Sequence, residues 1–144
     1  MIIEFEGFEN EPHQAMAEAA LDKTRDFIPA WCRRIIITQG WQDADQGTIA
    51  RVHDGSDYLS MSITLYPKWF VESPDRQRYN LRHELIDGTL LPIINAASEM
   101  LESMVEDKKV FEMVVAQMQR RKEQAAESIN SAVHNQHIPY PFVL

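Results

Sequence analysis

The segment Tyr79-Asn80-Leu81-Arg82-His83-Glu84-Leu85-Ile86-Asp87-Gly88 decides how this chain is read. Ser73-Pro74-Asp75 ahead of it is a helix start: a hydroxyl that can cap, a proline that suits the first turn, and an acid that favours the positive end of the helix dipole. A helix begun there runs through His83. It places His83 and Asp87 one turn apart on one face, with side chains about 6 Å apart. Glu84 projects about 100° away. Gly88 and Pro92 weaken the helix beyond. The proline ring clashes with the carbonyl four residues back, that of Gly88, so a kink or break is expected there.

Downstream, no Gly or Pro occurs from Ile93 to Val133. Apolar residues recur at helical spacing through Ile93, Ala97, Met100, Leu101, Met104, Phe111, Val114, Val115 and Met118. Glu106-Asp107-Lys108-Lys109 interrupts them, which predicts two helices with a turn near residues 102–108. Ser103 with Glu106 offers a capping box. Upstream, residues 12–30 read as a helix closed by Pro29. Three strand signals follow: Arg33 to Thr38, Thr48 to His53, and Tyr58 to Tyr66, where Leu59, Met61, Ile63 and Leu65 alternate with Ser60, Ser62 and Thr64. Asp54-Gly55-Ser56-Asp57 is a turn signal between the last two. The expected fold is α+β: an N-terminal helix, a small three-stranded, mostly antiparallel sheet, a kinked motif helix and a C-terminal helix. All 144 residues form one domain, with an extended tail over 134–144.

Composition narrows the function classes. The chain carries 22 acidic against 14 basic residues, a net charge of −8, which argues against a nucleic-acid binder in need of a basic face. The acidic start Met1-Ile2-Ile3-Glu4-Phe5-Glu6 is unlike a signal peptide, and no apolar run approaches the ~20 residues of a membrane span. The single cysteine, Cys32, sits beside Trp31 and apolar neighbours and reads as core, and a cytoplasmic setting is expected. Trp31, Trp41, Trp69 and Phe70 read as core or sheet-packing aromatics. His53 and the His134-x-x-His137 pair read as exposed, and Arg120-Arg121-Lys122 as a solvated helix end.

His83-Glu84-x-x-Asp87 is one residue away from His-Glu-x-x-His, in which two ligands on one helix face share zinc and the intervening Glu takes the proton of the attacking water. In this chain the fifth position is a carboxylate, which shortens the reach to the ion and favours harder metals. A catalytic zinc wants three protein ligands and an open position. Glu99, Glu102, Glu106, Glu112, His134 and His137 are the candidates for the third. Glu112, an acid inside the apolar stretch Phe111 to Val115, is preferred, because burying it is costly unless it is paired or metal-bound. On one unbroken helix it would stand ~37 Å from Asp87, so it needs the turn near 102–108.

With His83-Glu84-Leu85, Leu90-Leu91-Pro92, and Glu112 followed by Val114-Val115, the chain resembles the minimal zincin-like metallopeptidases found among small phage-encoded proteins. The resemblance spans roughly residues 15–120 and rests on about a dozen positions. It implies a zinc-dependent peptidase with His83, Asp87 and Glu112 on the metal and Glu84 as general base. It also implies a peptide substrate paired along the Tyr58–Leu65 strand and a host-cytoplasmic setting. Asp87 departs from the family pattern. That departure opens two other readings: a zincin-shaped binding or structural protein whose motif is no longer catalytic, and an unrelated small acidic interaction protein.

Overall fold

The computed structural model describes residues 1–41, 48–54 and 59–135. The element order is β1 (Ile2–Glu6), α1 (Glu11–Thr24), β2 (Arg34–Gln39), β3 (Ala50–Asp54), β4 (Ser60–Leu65), α2 (Pro67–Phe70), α3 (Pro74–Met104) and α4 (Lys108–His134), with a 3-10 turn at Arg25–Phe27. The chain is α+β: the described residues form four helices and a small mixed sheet of order β1-β2-β4-β3. β1 pairs parallel with β2, and β2 parallel with β4; only β3 runs antiparallel, against β4.

This corrects the expected three-stranded, mostly antiparallel sheet. Ile2–Glu6 is a fourth strand, and α1 is the crossover that parallel neighbours require. Its signal was the alternation of Ile3 and Phe5 with Glu4 and Glu6. α1 is capped by the Asn10 side chain, which accepts from the His13 N–H, and carries proline in its first turn. It ends at Thr24, short of the residue 30 expected.

β2 and β4 send alternate residues into the core: Ile35 and Ile37 from one, Met61, Ile63 and Leu65 from the other. Ala17, Ala20 and Leu21 of α1 and Leu81 and Leu85 of α3 meet them. Trp69 is fully buried and clamped to α3: its Nε1 donates to the Gln77 carbonyl at 3.1 Å, and Gln77 Nε2 returns a bond to the Trp69 carbonyl at 3.2 Å. Cys32 and Phe70 are buried as expected, and His53 is exposed. Trp41 is exposed, contrary to its reading as a packing residue. The turn signal at 55–57 and the tail beyond Asn135, His137 included, lie outside the described residues.

α3 starts at the Ser73 cap and continues without a break through Gly88 and Pro92 for 31 residues, about 46 Å. Gly88 serves packing: a Cβ there would stand 2.8 Å from Met61 Cε and 2.8 Å from Val52 Cγ2, so its absence lets α3 lie close on the sheet. The turn expected near 102–108 is present, between Met104 and Lys108. Its cap is Asp107, which accepts from the Lys109 and Val110 amides at 2.9 and 3.4 Å. The Ser103 hydroxyl bonds back to the Met100 carbonyl instead of forming a capping box. No helix among the described residues is long and apolar enough to cross a membrane.

Candidate functional site

α3 and α4 fold back on each other as an antiparallel hairpin, and their facing side chains set its register. Tyr79 meets Ser131, Arg82 meets Asn130, His83 meets Glu127 and Asp87 meets Lys122. His83 and Asp87 do share one helix face, as the spacing predicted. That face looks onto α4, where His83 and Asp87 are both held in ion pairs.

The layers run up the seam. At the bottom, Asn130 is fully buried. Its Nδ2 donates to the Tyr79 carbonyl at 2.9 Å, and its Oδ1 accepts from Arg82 Nε. Next, the Tyr79 hydroxyl donates to Glu127 Oε1 at 2.5 Å. Burial and that carboxylate push the Tyr79 hydroxyl up, while the same hydrogen bond draws Glu127 down, helped by His83. The His83 ring lies between two α4 acids, with Nδ1 3.2 Å from Glu127 Oε2 and Nε2 3.8 Å from Glu123 Oε2. At the top, Asp87 Oδ1 is 3.2 Å from Lys122 Nζ, and both residues are only 7% exposed. Lys122 Nζ also reaches Glu123 Oε1 at 3.5 Å.

Glu84 faces a different neighbour. Its Oε2 accepts from the Val52 N–H at 2.8 Å, so it holds a main-chain group of β3, the strand at the sheet's edge. Burial, and then the Asp87 carboxylate beside it, push Glu84 up to about 8, against the Val52 bond and Lys122, which act the other way. At neutral pH such a carboxyl keeps its proton for most of the time and is a poor acceptor for one from water.

Glu112 does not join this cluster. It is exposed on the second turn of α4. The register that sets Asp87 against Lys122 places Glu112 ten residues, about 15 Å, nearer the hairpin tip. Glu99, Glu102 and Glu106 are exposed on that same distal part, and His134 stands at the other end, its Nε2 3.7 Å from Asp75 Oδ2. Among the described residues no group of three His, Cys, Asp or Glu side chains is arranged to hold a metal ion. The His83, Asp87 and Glu112 set does not fit zinc: one donor is remote, and another already holds an ammonium whose positive charge would repel the ion. Within the Tyr58–Leu65 stretch, Tyr58 lies outside the described residues, and β4 (Ser60–Leu65) lies between β2 and β3 with both of its sides paired, so it offers no strand edge.

Of the residues that complete the seam, Glu127 and Asn130 carry no motif in the sequence, and Lys122 reads there as part of a solvated helix end. Lys122 is buried, not part of a solvated helix end, whereas Arg120 and Arg121 beside it are exposed. The available signal was spacing: Lys122, Ala126 and Asn130 continue the stripe of Phe111, Val115 and Met118 at three- and four-residue steps. Comparison with protein-family models, curated proteins and solved structures finds no match to the chain.

Proposed function

We propose that this chain is a non-catalytic, zincin-shaped binding protein, in which the His-Glu-x-x-Asp segment fastens a long helical hairpin to a small α+β body. The observation that carries this reading is the buried Asp87–Lys122 pair. A carboxylate placed to ligate a metal is held instead by an ammonium from the helix that a third ligand was expected to come from. His83 and Glu84 support the same reading, since one lies against Glu123 and Glu127 and the other holds the edge strand.

What the seam holds in place is the distal hairpin. From Thr89 to Arg121 no residue is buried. Helices of this length owe their stability mainly to the packing of an apolar face, and an arm this bare is suited to docking on another protein. The test is hydrolysis of a mixed peptide substrate by the metal-free chain with added zinc. No turnover above buffer is expected, for the natural sequence and Glu84→Gln alike. Zinc-dependent turnover by the natural sequence, lost in Glu84→Gln, would establish the peptidase reading instead.

A further inference from the structure

The exposed apolar residues of the hairpin form one face. Ile94 and Leu101 of α3, and Phe111 and Val115 of α4, are half-buried along the seam. One position before each stand Ile93, Met100, Val110 and Val114, all exposed. A step of one residue is a rotation of about 100° around a helix. In two antiparallel helices the same step turns both stripes to the same side of the pair. The hairpin therefore presents a two-helix apolar surface, half of a four-helix bundle, with Ile93 63% and Met100 65% exposed on it. Met104 and Met113 widen it at 72% and 70% exposure.

We propose that this face is covered by a second copy of the chain, docked antiparallel across a two-fold axis near Val114 to close a four-helix bundle. Charge selects that occupant. Asp107, the cap residue just before α4, and Val114 and Arg121 within it follow one another at intervals of seven residues and so mark one stripe along the helix and its cap. A two-fold axis at Val114 brings Asp107 of each copy opposite Arg121 of the other, so the stripe is its own complement. The surrounding distribution has the same sign: residues 93–109 hold Glu99, Glu102, Glu106 and Asp107 against Lys108 and Lys109, four acids to two bases, whereas Arg120 and Arg121 lie at the other end of the face. The six large apolar side chains exposed on the arm present on the order of 600 Å². With a polar rim, that approaches the ~800 Å² per partner of a standard interface. An isologous contact of this kind closes on itself and leaves no stripe open.

This inference rests on the binding reading above, and it is tested by the mass in solution. At about 50 µM, where an interface of micromolar affinity is filled, light scattering of the full chain is expected to give twice the 16.7 kDa of one copy. Val114→Glu sets two carboxylates against each other at the axis and should give the mass of one copy, with unchanged circular dichroism. Arg121→Glu sets like charges together at both ends and should weaken association at least tenfold. A single-copy mass for the natural sequence overturns the proposal, as does a two-copy mass that persists in both variants. A monomer without zinc-dependent hydrolysis removes only this interface, while zinc-dependent hydrolysis removes the reading beneath it.

Discussion

Breaking the Asp87–Lys122 pair should be expensive, and replacing it whole should not be. At 3.2 Å the two charges attract by about 5 kcal/mol with an effective dielectric of 20. Much of that is offset by the cost of taking both ions out of water, since each residue is 7% exposed. Removing one partner keeps that cost for the other and forfeits the attraction. Lys122→Met also leaves Asp87 beside Glu84 with no cation between them. We therefore expect Lys122→Met and Asp87→Leu each to lower unfolding stability by roughly 3–5 kcal/mol. The double variant, which puts two apolar side chains of similar volume into the seam, should return to within about 1 kcal/mol of the natural sequence. Urea unfolding followed by circular dichroism gives all four corners of the cycle, provided the slopes agree. Losses below about 1 kcal/mol in both single variants, adding simply in the double, would refute a buried, coupled pair.

Glu84 predicts a pH dependence of definite sign. Its carboxyl is raised from 4.5 to about 8 in the folded chain, so the folded state holds the proton more tightly than the unfolded one. The stability this proton confers is complete below pH 4.5 and is lost as pH rises through 8, a drop of roughly 3–5 kcal/mol at 1.4 kcal/mol per unit. Melting temperatures should fall between pH 5 and 8.5 in the natural sequence and much less in Glu84→Gln. Parallel curves for the two would contradict the assignment. Gly88→Ala should lower stability by about 1–3 kcal/mol despite the better helix propensity of alanine, because the new methyl meets Met61 and Val52. A gain in melting temperature would mean that α3 does not lie so close to the sheet.

The helices were legible because each carries its own local signals. Ser73-Pro74 fixed the start of α3, and the polar run after Val105 fixed the turn. The face shared by His83 and Asp87 followed from spacing alone. Sheet order was harder, because parallel pairing is set by contacts between strands far apart in the chain. Short loops after Arg34–Gln39 suggest a meander, and in Ile2–Glu6 two acids in five residues weaken the strand signal of Ile3 and Phe5. Pro92 argues for a kink or break, yet α3 continues through it as one helix. The candidate site failed at one point of geometry. Spacing within a helix places His83 against Asp87, but only the register of the hairpin decides which α4 residue stands opposite. That register brings Lys122, not Glu112.

Zinc titration of the metal-free full chain, followed by calorimetry, tests the central claim most directly. If the motif fastens α4, the natural sequence takes up no stoichiometric zinc, and His83→Ala and Asp87→Ala titrate as it does. One equivalent bound by the natural sequence and lost in both variants would contradict it.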